Sequence, residues 1–88
     1  MTRDDVKTIL RTPYKPLVLC ALSYVNLSDR DINLLILRYM RGHTQEEAAE
    51  ELRLSVNGLQ KREYAALKTC AEAWDKLLFI QEISKATQ

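Results

Sequence analysis

The sequence predicts an all-α protein of about five helices. Only two Pro and two Gly occur among 88 residues, and 47% of the residues are hydrophobic, a composition that supports a folded core. No segment alternates apolar and polar residues as a half-buried strand does. At three predicted helix starts, a Ser or Thr is followed three positions later by an acidic residue, the pattern of a helix N-terminus. These pairs are Thr2 with Asp5, Ser28 with Asp31, and Thr44 with Glu47.

The first two predicted helices form an N-terminal support over residues 1–26. The first should extend from about Thr2 to Arg11 and stop before "TPYKP", because a proline disfavours helical geometry in the residue before it. Pro16 suits the opening of the second helix, "PLVLCALSYV". This helix is apolar on nearly every side, so we expect burial on more than one side. Cys20 within it, like Cys70 later in the chain, is expected to be a buried reduced thiol.

The third and fourth predicted helices each have one apolar face. The third covers about Asp29 to Arg41 and should end at Gly42. Its apolar residues recur at helical spacing: Ile32, Leu35, Ile36 and Tyr39. The fourth covers about Gln45 to Leu52, with small alanines facing inward and glutamates around them: Ala48 and Ala49 against Glu46, Glu47, Glu50 and Glu51.

The last predicted helix starts after Ser55 and extends to about Lys85. Its inward stripe contains Leu59, Glu63, Ala66, Leu67, Cys70, Trp74, Leu77 and either Ile80 or Gln81, and Leu78, Phe79 and Ile83 widen the apolar surface. This C-terminal end has two interpretations, and both can hold at once. It covers the second helix together with Ile9 and Leu10, or part of it pairs with a second copy to form a homodimer.

A motif set extends from Leu27 to about Ala71: "LSDRDINLLILRYMRGHTQEEAAEELRLSVNGLQKREYAALK" followed by three further residues. It resembles region 4 of the bacterial sigma-70 factors, which binds the −35 promoter element. It is more loosely similar to the small phage and mobile-element regulators that contain the same DNA-binding region. The resemblance covers about half of the chain and implies a helix-turn-helix over residues 27–71, with residues 72–88 as a C-terminal extension of a single domain.

The resemblance also implies which residues contact DNA. In the family, the helix after the matched Ser55 enters the major groove. The matched base-reading positions are Val56, Asn57 and Lys61. The matched phosphate-contacting positions are Arg30, Arg38, Thr44, Gln60 and Lys68.

The residues themselves support part of this assignment. Counted from Ser55, the positions that face away from the apolar stripe carry Asn57, Gln60, Lys61 and Tyr64. Asn and Gln pair bidentately with adenine, and Lys donates to guanine O6 and N7. A helix N-terminus also offers free N–H groups to phosphate.

The chain departs from the family pattern at several positions. Val56, Gly58 and Gln60 stand where the family usually has Arg or another long polar side chain, so we expect few phosphate contacts and a shallow salt dependence. Arg62 stands at a usually apolar position, so either the helix is rotated or Arg62 points outward. Arg53 replaces a turn glycine, and a positive φ there would cost about 1 kcal/mol.

Composition excludes several classes of protein. The net charge of +1 gives no bulk attraction to nucleic acid, so any binding must come from a local patch. No apolar run reaches the roughly 18 to 20 residues that span a bilayer, and "MTRDDVK" is not a signal-peptide start, so we expect a cytoplasmic protein without membrane contact. We also expect no enzymatic activity, cofactor or metal site, since no catalytic or metal-ligand constellation occurs.

The function predicted from the sequence is sequence-specific binding of double-stranded DNA by a transcriptional regulator of bacterial or phage type. The alternative is a protein–protein adaptor that docks on RNA polymerase or a sigma factor without reading bases. The near-neutral charge and the few basic residues at the start of the last helix motivate this alternative.

Overall fold

The computed structural model describes residues 1–77 together with Ile80, Glu82 and Lys85, and within them it confirms an all-α fold. Over residues 1–77, five α-helices and one short π-helical segment follow one another. They are α1 (Arg3–Leu10), α2 (Lys15–Ser23), α3 (Asp29–Leu35) continued by the π-helical segment (Ile36–Met40), α4 (Gln45–Leu52) and α5 (Val56–Trp74).

The predicted helix starts are all observed. Thr2 and Thr44 form reciprocal caps, in which the hydroxyl accepts from the N–H three residues later and the carboxylate at that position accepts from the cap residue's own N–H. The Ser28 hydroxyl accepts from the Asp31 N–H at 3.2 Å. Each cap satisfies backbone donors that have no partner inside the helix. α1, α3 and α4 therefore begin where local chemistry places them.

α2 is buried on one side only, which corrects the prediction of burial on more than one. Val18, Ala21 and Leu22 are buried, whereas Leu19 is 47% exposed. Cys20 is also exposed, so the expected buried thiol is wrong at this position, while Cys70 is buried as predicted. A short helix at the edge of a small protein meets neighbours on one side, whatever the apolar content of the other.

The third predicted helix widens into the π-helical segment before it ends. The Arg41 N–H donates to the Ile36 carbonyl at 2.9 Å, and the His43 N–H donates to the Leu37 carbonyl at 2.9 Å. Gly42 adopts φ +72°, as expected for a glycine that ends a helix. Leu35 and Tyr39 of the predicted stripe are buried, but Ile32 and Ile36 are only partly buried. The remaining buried positions of this stretch are Leu34 and Leu37.

α5 ends at Trp74, well before the predicted end near Lys85. The Leu77 N–H donates to the Trp74 carbonyl at 3.0 Å, which closes a turn. A straight continuation would rise about 1.5 Å per residue along the α5 axis, whereas the turn lets Ile80 be fully buried in the same core as Trp74. Leu78, Phe79 and Ile83, which were expected to widen the apolar surface, lie outside the described residues.

The core joins all five helices along the buried face of α5. The indole N–H of Trp74 donates to the Ala21 carbonyl at 3.0 Å, so this residue covers α2 as the first interpretation of the C-terminal end expected. Ile9 and Leu10 of α1 are fully buried in the same cluster. Within the described part of the chain, no helix is both long and apolar enough to cross a bilayer.

Candidate nucleic-acid interface

A three-residue turn, Arg53–Ser55, connects α4 to α5. Arg53 adopts the left-handed conformation, with φ 57° and ψ 47°, so this non-glycine residue carries the strain of a positive φ. The Arg53 N–H donates to the Glu50 carbonyl at 3.2 Å, and the Leu54 N–H donates to the Ala49 carbonyl at 2.8 Å. These bonds satisfy the last carbonyls of α4. The Ser55 hydroxyl then accepts from the Gly58 N–H at 3.0 Å and starts α5.

One face of α5 is polar and exposed near its N-terminus. Asn57, Gln60, Lys61 and Tyr64 are exposed and line one shallow concavity. Lys68 is exposed one turn further along the same face. The opposite face carries the buried stripe that helical periodicity predicted: Leu59, Glu63, Ala66, Leu67, Cys70 and Trp74.

Val56 is the one proposed base-reading residue that is not fully exposed. It is half-buried at the first position of α5 and packs against the hydrophobic core. Only part of its side chain is therefore available to a ligand at this surface.

Arg3 belongs to this surface, although no sequence pattern indicated it. Its guanidinium carbon lies 4.0 Å from the centroid of the Tyr64 ring, a cation–π geometry. Arg3 is exposed at the first position of α1, immediately after the Thr2 cap. The contact joins residues far apart in the chain, so only the packing of α1 beside α5 brings them together.

Arg38 does not lie with the exposed residues of α5. Its Nε donates to Glu63 Oε1 at 2.6 Å and its Nη1 donates to the His43 carbonyl at 2.7 Å. Glu63 is the buried charged residue of the core, at 7% exposure. Burial, followed by the Glu63 charge, raises the pKa of the neighbouring Tyr39 phenol to about 12. Arg38 thus pairs with a buried carboxylate.

Arg30 and Thr44 are placed at helix ends, with their polar groups engaged. Arg30 Nη2 donates to the Leu52 carbonyl at 2.6 Å, a favourable position for a cation at the C-terminus of α4. The Thr44 hydroxyl accepts from the Glu47 N–H at 3.1 Å. The Thr44 N–H bonded to the Glu47 carboxyl holds the pKa of that carboxyl below its ordinary value. Both side chains stabilise α4.

The unusual position of Arg62 raised two alternatives, a rotated α5 or an outward-pointing Arg62. The residues predicted to face inward are buried, so α5 is not rotated. Arg62 lies at the edge of that face, where its Nε donates to Asp31 Oδ1 of α3 at 3.0 Å.

Charge is separated between α4 and α5. Within the described residues, Lys61 and Lys68 have no carboxylate at ion-pair distance. The four glutamates of α4 are exposed, and Glu47, Glu50 and Glu51 line a second concavity with His43. In the same part of the chain, no three His, Cys, Asp or Glu side chains lie in a metal-binding group.

A chain of side-chain hydrogen bonds connects the exposed face of α5 to the buried ion pair. Gln60 Nε2 donates to Gln45 Oε1 at 2.9 Å. Gln45 Nε2 in turn donates to Glu63 Oε2 at 3.4 Å, and Glu63 Oε1 accepts from Arg38. The first residue of α4 thereby contacts the exposed face of α5.

No protein-family model, curated protein or solved structure matches the chain.

Proposed function

We propose that this protein is a sequence-specific DNA-binding transcriptional regulator of bacterial or phage type. In this proposal α4 and α5 act as a helix-turn-helix, and the N-terminal half of α5 enters the major groove. The observation that carries it is the shared exposed face formed by Asn57, Gln60, Lys61 and Tyr64. Two amides and an exposed ammonium on one helix face are the groups that hydrogen-bond to base edges.

Each residue of this face has a proposed role. Asn57 and Gln60 accept from and donate to adenine, and Lys61 donates to guanine. The exposed part of Val56 offers an apolar contact of the kind that thymine methyl groups accept. Lys68 lies farther along the same face of α5 and is suited to a phosphate. With so few cations, the salt dependence of binding should be shallow.

Selection of bound duplexes from a random library at moderate salt tests this proposal. A single enriched motif is expected, and Asn57→Ala and Lys61→Ala should each weaken binding to it without lowering the melting temperature. Asn33→Ala is the matched control, because it removes an exposed amide from α3, outside this face. If both variants bind the selected site as tightly as the parent, α5 is not the reader.

Homodimer formation through the C-terminal region is a further part of the proposal. It is the arrangement that would place two reading helices on two half-sites. A selected motif that repeats as inverted half-sites about 10 base pairs apart supports it. Sedimentation as a monomer at the concentrations used for DNA binding contradicts it.

The second candidate is an adaptor that docks on RNA polymerase or a sigma factor. The observation that favours it is the exposed acidic face of α4, which suits a basic protein surface and not a phosphate backbone: Glu46, Glu47, Glu50 and Glu51. Co-purification with polymerase after nuclease treatment, with no DNA retained by the isolated protein, would support this candidate. Loss of that association on changing the four glutamates to glutamine would locate the docking face.

A further inference from the structure

The buried Glu63 carboxylate imposes a direction on the hydrogen bonds around it. A carboxylate only accepts hydrogen bonds. One oxygen of Glu63 accepts from Arg38 Nε at 2.6 Å, and the other faces the Gln45 amide at 3.4 Å. Gln45 must therefore turn its NH₂ group, and not its oxygen, toward Glu63.

The orientation of the Gln45 amide in turn fixes the orientation of the Gln60 amide on the exposed face of α5. Since the Gln45 NH₂ faces Glu63, the Gln45 oxygen faces Gln60, and Gln60 must turn its own NH₂ toward Gln45, at 2.9 Å. One N–H and the oxygen of the Gln60 amide remain uncommitted within this chain of bonds. Gln60 is exposed, so this remaining edge is available to a ligand.

We propose that Gln45 and Glu63 are positioning residues that fix the amide of Gln60 so that it reads one adenine. The remaining edge of Gln60 has an acceptor beside a donor, which is complementary to the N6 amino group and N7 of adenine. Three features hold the Gln60 amide in place: the buried ion pair, the placement of Gln45 at the first residue of α4, and the placement of Glu63 and Gln60 on one helix. Side chains locked by such support lose less freedom on binding. The inference rests on the proposed DNA-binding function.

The first half of the test needs no DNA. Side-chain ¹⁵N relaxation of the Gln60 NH₂ group measures its order in the parent, in Gln45→Ala and in Glu63→Gln. We expect restricted motion in the parent and greater motion in both variants, with Glu72→Gln as the control that removes an exposed carboxylate from the same helix. A Gln60 amide as mobile in the folded parent as in the urea-unfolded chain overturns the positioning role.

The second half measures base discrimination at each position of the selected site. Gln60→Ala identifies the position that Gln60 reads, which we expect to be an adenine. Gln45→Ala should then lower the preference for adenine there by roughly ten-fold while leaving the other positions and the salt dependence unchanged. Glu63→Gln should act in the same way; Gln45→Ala decides the question if Glu63→Gln does not fold, because it leaves the Arg38–Glu63 pair intact.

The outcomes separate this inference from the function on which it rests. If Gln45→Ala keeps the full preference for adenine, the positioning role is overturned while DNA binding stands. If the parent selects no motif at all, the adenine-reading role is overturned together with the proposed function, even where the Gln60 amide is ordered. Restricted motion of the Gln60 amide that depends on Gln45, together with base discrimination that Gln45→Ala loses at one position only, supports the inference.

Discussion

The indole N–H of Trp74 donates a 3.0 Å hydrogen bond to the backbone carbonyl of Ala21, and both residues are fully buried. This bond joins the last residue of α5 to the last turn of α2. α2 has no side-chain hydrogen bond at its N-terminus, so its placement depends on packing and on this contact. The only tryptophan of the chain thus connects the N-terminal support to α5.

Replacing Trp74 with Phe should lower the free energy of unfolding by roughly 2 kcal/mol, since it removes the hydrogen bond and leaves a cavity. Leu19→Ala is the control on the exposed side of α2, where a change within about 0.5 kcal/mol is expected. Urea unfolding followed by circular dichroism measures both variants without relying on the indole fluorescence. Equal stability of Trp74→Phe and the parent would show that the contact is not stabilising.

The two cross-helix arginine pairs should differ in their contribution to stability. Arg38 and Glu63 have side chains 19% and 9% exposed, so Arg38→Ala leaves an unpaired carboxylate in the core and should cost about 3 to 5 kcal/mol. Arg62 and Asp31 are 38% and 24% exposed, and Arg62→Ala should cost about 0 to 1 kcal/mol because solvent screens this pair. Denaturant unfolding of the two variants in parallel measures both losses of stability. A larger loss for Arg62→Ala than for Arg38→Ala would contradict the expected order.

Arg53 and Gly42, both left-handed, should respond to substitution with opposite signs. Arg53→Gly should raise the free energy of unfolding by up to about 1 kcal/mol, because glycine adopts φ 57° without strain. Arg53→Ala, which keeps the strain, is the matched control. Gly42→Ala should lower stability by about 1 kcal/mol through strain alone, since a Cβ at this position would meet nothing within 4 Å. Thermal unfolding of all three variants measures the effect.

Stability should fall at alkaline pH. Burial raises the pKa of the Cys70 thiol to about 12 from its ordinary value of 9.0, and the Tyr39 phenol shifts to about 12 from 10.0. The unfolded chain therefore loses these protons first. The stability that the two groups contribute is complete below their unfolded values and is lost as the pH rises toward 12, with a slope of up to about 1.4 kcal/mol per pH unit for each group.

Cys70→Ala tests the origin of this alkaline loss. Its unfolding free energy should fall less steeply between about pH 9 and pH 10 than that of the parent, because this variant has no buried thiol to ionise on unfolding. Cys20→Ala is the matched control, since it removes the other thiol from an exposed position. Identical pH profiles for the parent and Cys70→Ala would contradict the assignment.

Arg3 should contribute one phosphate contact to the proposed DNA complex. It lies over the Tyr64 ring beside the exposed face of α5. Arg3→Ala should weaken binding evenly across DNA sequences and reduce the slope of log K against log salt by about 0.9. Lys76→Ala removes one positive charge just beyond the C-terminal end of α5 and should leave the slope unchanged. Equal slopes for the two variants would exclude Arg3 from the interface.

Periodicity and caps predicted much of the candidate site. The 3.6-residue period of α5 placed Asn57, Gln60, Lys61 and Tyr64 on one exposed face because the buried stripe occupies the other. It did not predict that Arg38 pairs with Glu63 or that Arg3 covers Tyr64. Those contacts join residues on different elements, and their existence depends on how the helices pack.

The sequence by itself determined where α1, α3, α4 and α5 begin and how α4 ends. Caps such as Thr44 with Glu47, and the left-handed Arg53, involve hydrogen bonds that span at most five residues, so the local chain contains all the necessary groups. The tertiary structure alone decided that α5 ends at Trp74 and that Cys20 is exposed. Both outcomes depend on which surfaces meet in the core, and burial is a property of the packed helices and not of the residue type.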